Sequence, residues 1–270
     1  MSLDHFSLSA AELAAYRADG FLVREAAFSD QEIARLGAAV ERAAGRAQEL
    51  VPSGRTYILD QKRFVDIDYT TLQFEFGEHS DTLRVIEPVH ELDEELTHLI
   101  DDRRLTGPVR SILGTDEIAL WTDKLNLKRP GVGAGFGWHQ DSPYWIHDSS
   151  HVDLLPNVMV TFDDATMENG CFSCIRGSHQ QGCLPGTDDG SQLGGFYTNP
   201  GSFSVGDAVW FQVPAGSLIF FDPHIVHGSG PNHSDKPRRA MVITYQPGGF
   251  PTLKSRQITN VPMSRHGSDT

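Results

Sequence analysis

The sequence has little that could tie it together covalently: among 270 residues there are three cysteines, Cys171, Cys174 and Cys183. An odd count excludes a fully paired disulfide framework and fits a reducing compartment, so a cytoplasmic location is expected. Cys171 and Cys174 have the spacing of a metal or redox pair. In a β-like run, however, side chains three apart face opposite ways, and both are expected as small buried hydrophobes. No charged leader followed by an apolar segment opens the chain, which leaves no secretory signal to read. No apolar run approaches the roughly 20 residues of a membrane span, and the C-terminal Ser268-Asp269-Thr270 is not the peroxisomal tripeptide. Positive charge is also scarce, with 22 Lys and Arg against 36 Asp and Glu and a formal charge of −14. Nucleic-acid affinity comes from clustered cations, so such a partner is not expected. The basic groups come as pairs, Lys128-Arg129 and Arg238-Arg239. Such pairs read as solvated edges unless a specific anion sits against them.

With 39% hydrophobic and 21% charged residues, the composition suffices for a substantial core, and one domain over residues 1–270 is expected. A monomer or homodimer is expected. Residues 1–115 read as a mainly helical part packed on the core. Ser9 with Glu12 and Ser29 with Glu32 have the capping-box pattern, each before a helical run. Gly20-Phe21-Leu22-Val23 is a strand-like stretch between those helices. Residues 52–82 scatter Tyr57, Phe64, Tyr69, Phe74 and Phe76 without a sustained period, and are expected to pack over the core rather than to form a substrate wall. Leu96, Leu99 and Ile100, then Leu105, Val109, Ile112 and Leu113, give further helices, stopped by Gly114. Over residues 116–250 the texture turns to short β-rich runs: EIALWTDKLNLKRP, NVMVTFDDA, GCFSCIRGSH, DAVWFQVPAGSLIFFD and RRAMVITYQ. Strands after a helical block suggest a sandwich or barrel with helices on one face. Gln180 to Gly206, rich in Gly, Asp, Ser and Asn, is too long for an ordinary connection and is a candidate lid. Residues 251–270 read as an irregular tail.

The chemistry concentrates in GFGWHQDSPYW, residues 135 to 145. In an extended strand residues two apart share a face, so His139 and Asp141 converge there. Two imidazoles and a carboxylate are the ligand set of non-haem Fe(II) oxygenases. The missing imidazole must come from elsewhere, and FFDPHIVHGSGPN offers both His224 and His227. His147, His151, His179 and His233 read as solvated or structural.

WHQD, followed by DDATMENG, RGSH, and HGSGPN with PRRA behind it, resembles the phytanoyl-CoA dioxygenase family of Fe(II)/2-oxoglutarate oxygenases. The likeness covers roughly Ala11 to Gln246. It implies a mainly β fold with flanking helices, built on a double-stranded β-helix, the cupin-like jelly roll. It implies Fe(II), 2-oxoglutarate and O2 as cofactor, cosubstrate and oxidant, with succinate and CO2 released. It selects His227 over His224, since Gly228-Ser229-Gly230 follows as in the family, and so implies His139, Asp141 and His227 as metal ligands. Arg238 matches the guanidinium that grips the distal carboxylate of 2-oxoglutarate, and Ser229 the assisting hydroxyl. Lys124, Asn126 and Met159 fall in regions that contact the cosubstrate, Met159 where several relatives have tryptophan. Arg176 stands where relatives commonly have proline before Gly-Ser-His. Gln140, Trp145, Phe196 and Tyr197 are candidate substrate contacts. Relatives that halogenate lack the carboxylate ligand, so Asp141 favours hydroxylation or desaturation of a small-molecule metabolite. An alternative is a cupin-like protein holding zinc or another divalent ion as a hydrolase, isomerase or non-catalytic binding module. Affinity order alone does not select iron at such a site.

Overall fold

The computed structural model describes residues 6–263. The C-terminal tripeptide lies outside them. The N-terminal part follows the capping signals. Helix α1 (Ala10–Asp19) and helix α2 (Asp30–Leu50) start at capping boxes built by Ser9 with Glu12 and by Ser29 with Glu32. Each cap satisfies amides that have no partner within the helix, worth about 1 kcal/mol. Strand β1 (Phe21–Arg24) runs between them. Helix α2 buries Ile33, Leu36, Ala39, Val40, Ala43, Ala44 and Ala47, the stripe that faces the core.

Residues 52–82, expected to pack over the core and showing no sustained period, are mostly strand. β2 (Arg55–Leu59), β3 (Lys62–Ile67), β4 (Thr70–Phe76) and β5 (Leu83–Glu87) form an antiparallel meander. The β2–β3 turn is Asp60-Gln61, both at positive φ, which is the geometry of a tight hairpin without its usual glycine. That missing signal is why the strands escaped sequence reading. The N-terminal part is therefore mixed helix and strand.

Helices α3 (Glu94–Ile100) and α4 (Arg103–Leu113) follow, the latter closed by left-handed Gly114. Next come β6 (Ile118–Lys128), β7 (Phe136–His139), the short α5 (Ser142–Trp145), β8 (Asn157–Thr161), β9 (Phe172–Ile175), β10 (Ala208–Trp210), β11 (Leu218–Phe221), β12 (His227–Ser229) and β13 (Arg238–Pro247). They make two sheets. One has nine strands in the order β1-β11-β8-β13-β6-β5-β4-β3-β2, the other four in the order β10-β9-β12-β7.

Alternation along β6 and β13 sorts the two faces of the large sheet. Leu125, Leu127, Met241 and Ile243 join the helices in the main core, with Leu36, Val40, Leu96 and Leu105. On the other face Met159, Ala240 and Val242 pack with Phe172 and Cys174 of the small sheet, in a second core between the sheets. Cys171 and Cys174 are buried free thiols there. The site opens at one side of this inner layer.

Candidate active site

Pairing across the small sheet sets His227 directly opposite His139. Asp141 joins them by a route the sequence did not suggest. Strand β7 stops at His139, and Asp141 has turned to helical dihedrals as the residue before α5. The turn is fixed from outside, because the amides of Asp141 and Ser142 both donate to the Pro223 carbonyl at 3.1 and 3.0 Å. One potential ligand atom from each of the three side chains lies within 4.8 Å of the others.

Each imidazole donates its Nδ1 proton to a carbonyl, His139 to Gly137 at 2.7 Å and His227 to Ile225 at 3.0 Å. That fixes the tautomer and leaves each Nε2 lone pair free. His227 Nε2 sits 3.9 Å from Asp141 Oδ2. Burial keeps both rings neutral, pushing His139 down to about 3 with help from His227 and lowering His227 against the opposing pull of Asp141. Burial works against the Asp141 carboxylate, but His227, Lys124, His139 and a hydrogen bond from Asn157 outweigh it and hold its pKa low. Asn157 Nδ2 donates to Asp141 Oδ2 at 3.0 Å, and its own Oδ1 accepts from Thr244 at 2.6 Å. Neutral imidazoles beside an oriented carboxylate suit a divalent cation, and this donor set could hold one.

A small cavity adjoins these three side chains, lined by Lys124, Asn126, Met159, His227, Ser229 and Arg238 among others. Arg238 is 3% exposed and gives one hydrogen bond, from Nη2 to the Gly170 carbonyl at 2.9 Å. Among the described residues, its Nε and the Asn126 Oδ1 are buried without partners. Burial lowers the Arg238 pKa to about 10. A buried guanidinium with spare donors and no carboxylate of its own is an anion site awaiting its anion.

Lys128, expected at a solvated edge, is instead fully buried behind this cavity. Its ammonium donates to Ser229 Oγ at 2.8 Å, to Gly170 O at 3.3 Å and to Gly230 O. Burial, with the Arg238 and Arg84 guanidiniums nearby, pushes it down to about 6 despite those acceptors. Gly170, at φ +76°, permits the approach, since a Cβ there would meet Gly230 O at 2.2 Å and Lys128 Nζ at 2.9 Å. Sequence reasoning missed Lys128 and Asn157. The alternation of Lys124, Asn126 and Lys128 along β6, and of Asn157 with Met159 along β8, could have found them.

A second cavity, of about 420 Å³, opens from His139 and Asp141 toward the β3–β5 meander. Phe64 and Gln73 on the meander line it, so residues 52–82 do form a wall. Of the expected substrate contacts, Trp145 and Tyr197 line this space. Phe196 stands one layer back, stacked on the lining residue Tyr144 at 4.3 Å. Gln140 is a correction. Its amide nitrogen donates to the Gly182 and His224 carbonyls and its oxygen accepts from the Leu184 amide, so the side chain pins the following loop and faces away. His224 is likewise apart from the cluster, paired with Asp153 at 2.7 Å. Arg176 pairs with Asp19 over the Phe21 ring, on the far side of the sheet edge. The candidate lid crosses the cavity through Leu193 and Tyr197.

The phytanoyl-CoA dioxygenase family model matches residues 16–240. The chain is 30% identical over 259 residues to the ectoine dioxygenase of Bordetella bronchiseptica, covering 88% of this chain and 75% of that one. It is 27% identical over 202 residues to the L-proline trans-4-hydroxylase of Streptomyces griseoviridis, covering 68% and 71%. Among solved structures, that of EctD from S. alaskensis with 2-oxoglutarate and 5-hydroxyectoine superposes with a TM-score of 0.67 at 24% identity, over 94% of this chain and 80% of that one. The carbocyclase SnoK of nogalamycin biosynthesis does so with a TM-score of 0.66 at 18% identity, over 89% and 85%. Both have the fold found here. The chain belongs to the phytanoyl-CoA dioxygenase family and is an Fe(II)- and 2-oxoglutarate-dependent dioxygenase that acts with O2 on a small molecule.

Proposed function

We propose that His139, Asp141 and His227 hold the Fe(II), that Arg238 with Ser229 takes the distal carboxylate of 2-oxoglutarate, and that the 420 Å³ cavity receives a metabolite for hydroxylation. The observation that carries this reading is the pairing of two features in one inner layer. Three convergent ligand atoms lie beside a buried guanidinium that, among the described residues, has no carboxylate of its own. A metal hydrolase would need the first feature and would gain nothing from the second.

With iron and cosubstrate bound, O2 drives oxidative decarboxylation of 2-oxoglutarate to succinate and CO2 and supplies the oxidising power used on substrate. The chain's own part is placement. The two histidine carbonyl bonds and Asn157 fix the donor atoms before metal arrives. Arg238 and Ser229 set the far end of the cosubstrate, while Lys124, Asn126 and Met159 frame its length. Trp145 and Tyr197 shape the substrate space, with Phe196 bracing Tyr144 behind it. Burial of the whole layer keeps bulk water from the reacting centre. The buried free thiols support a reducing, cytoplasmic setting.

The experiment is anaerobic addition of Fe(II) and 2-oxoglutarate, which should give the weak visible charge-transfer band of the chelate. Succinate release is then followed with a metabolite panel that includes ectoine and L-proline. Absence of the band together with turnover supported by zinc would overturn the assignment of the site.

A further inference from the structure

The substrate cavity is basic, although the chain as a whole is acidic. Its charged lining comprises Lys62, Arg84, Lys124, Lys254 and Arg256 against Glu87, Asp141 and Asp148. Most of these charges are already answered. Arg84 pairs with Glu75 at 3.1 Å and donates to the Gly135 carbonyl at 2.7 Å. Arg256 pairs with Asp148. Lys124 belongs to the metal and cosubstrate end. Lys254 donates to Thr71 Oγ1 at 3.2 Å, and the Glu87 carboxylate accepts from Thr122 Oγ1 at 3.1 Å.

Lys62 is left over. It is 8% exposed, yet among the described residues its ammonium has no hydrogen-bond acceptor and no carboxylate within ion-pair distance. Its one close neighbour of note is the Phe76 ring, 4.7 Å from Nζ to the centroid. Lys62 is nearly covered yet lines the cavity, so an anion bound there would meet its charge at short range. The residue is also held in place. It is the first residue of β3, directly after the Asp60-Gln61 turn, and the Asp60 carboxylate accepts the amides of Gln192 and Leu193 at 3.0 and 2.7 Å. The hairpin tip that carries Lys62 therefore also holds the loop that covers the cavity.

We infer that the substrate is a small organic molecule bearing a compact oxyanion, and that Lys62 is the residue that binds this group. The inference rests on the oxygenase reading of the same cavity. Phe64, Tyr144 and Tyr197 on the lining offer the body of such a molecule apolar and aromatic contact, while the oxidised C–H lies toward His139 and Asp141.

Two measurements test this. In the first, protein carrying [ε-13C]lysine is titrated with inorganic phosphate without metal. The chain has five lysines, so the signals can be assigned from Lys62→Arg and Lys62→Met variants. The Lys62 resonance should shift and saturate, while that of exposed Lys236 moves little. In the second, carboxylic acids are compared with their amides, and phosphonic acids with their neutral esters, by succinate release. The charged member of an active pair should be favoured by about 30-fold or more. Lys62→Met should abolish that preference and Lys62→Arg should largely restore it. An unmoved Lys62 resonance overturns the proposal. So does an acid-to-neutral ratio that Lys62→Met leaves unchanged. Carboxylates and phosphonates are told apart by which pair is active. A shifted Lys62 signal in a protein that forms no iron chelate would instead count against the oxygenase assignment and leave the anion site standing.

Discussion

Arg238 and Arg239 are neighbours on β13 and serve opposite faces of one sheet. Arg238 lies inward with unused donors. Arg239 turns outward to grip Asp163 through two bonds of 2.9 and 2.7 Å and Glu41 through a third of 3.0 Å. The outward position was expected at a solvated edge. It is instead a clamp, 16% exposed, that ties β13 to the loop after β8 and to α2.

The two residues should therefore fail differently. Arg238→Ala removes the partner of a buried carboxylate and should weaken 2-oxoglutarate binding by about 30-fold to a few thousand-fold. Arg239→Ala should leave that binding nearly unchanged. It should lower unfolding stability by about 2 kcal/mol, less than the ~3–5 of a fully buried pair because Glu41 is half exposed. Cosubstrate titrations and denaturant melts of both variants check this. A large binding defect confined to Arg239 would mean the register of β13 is misassigned.

Around the proposed metal site the expectations are graded by distance. Asp141→Ala leaves two histidines and should abolish succinate release and weaken iron binding, as should His139→Ala and His227→Ala. Asn157→Ala keeps every ligand but frees the carboxylate to rotate, and should cost about 10–100-fold in metal affinity or activity. His224→Ala should retain iron. Iron stoichiometry and turnover under limiting Fe(II) decide each case, and equal iron loss from the His224 and His227 variants would reopen the third ligand.

Lys128 makes a pH-dependent prediction. Its folded pKa is depressed to about 6 from an ordinary value of 10.5, so between those limits the folded chain binds fewer protons here than the unfolded chain. Stability from this group is accordingly lost as pH falls through that window and is flat below about 6. A 2-oxoglutarate carboxylate arriving at neighbouring Arg238 and Ser229 would favour the protonated ammonium. Cosubstrate binding to iron-loaded protein at pH 7.5 should then take up protons, and affinity should fall as pH rises. Calorimetric titrations in buffers of different ionisation enthalpy measure the uptake. It should vanish in Lys128→Met, and an uptake that persists in that variant belongs to another group.

What the sequence disclosed follows from which signals are local. Caps at Ser9 and Ser29, the stop at Gly114 and the β-rich runs after residue 116 are short-range, and each matches an element. His139 and Asp141 were found for a reason the structure replaces: they meet through a turn pinned by Pro223, whereas strand alternation ends at His139. The β2–β5 meander was hidden because its first turn uses Asp60-Gln61 in place of glycine or asparagine. Gln140 and Lys128 were misread because the burial of a polar side chain depends on acceptors far along the chain. Those are Gly182 and His224 for one, and Gly170, Ser229 and Gly230 for the other.

The loop from Gln180 to Gly206 is held near its start by Gln140, through Gly182 and Leu184, and its later part is tied to two different elements. On one side the Thr198 amide donates to the Trp138 carbonyl at 3.0 Å, next to His139. On the other, the Asp60 carboxylate takes the amides of Gln192 and Leu193. Of these ties, the one at Asp60 can release without disturbing β7 or the Gln140 anchor. Asp60→Asn is the informative change, since asparagine tolerates the positive φ of the turn while replacing a charged acceptor by a weaker neutral one. The lost strength, about 1 kcal/mol, corresponds to roughly fivefold faster amide exchange at Gln192 and Leu193. Iron binding should be unchanged and exchange at Thr198 nearly so. Substrate should slow exchange at Gln192 and Leu193 in both proteins if the loop closes over it. Faster exchange spread evenly to Thr198 in the variant would mean that the loop moves as one body and that the Asp60 contact is not its latch.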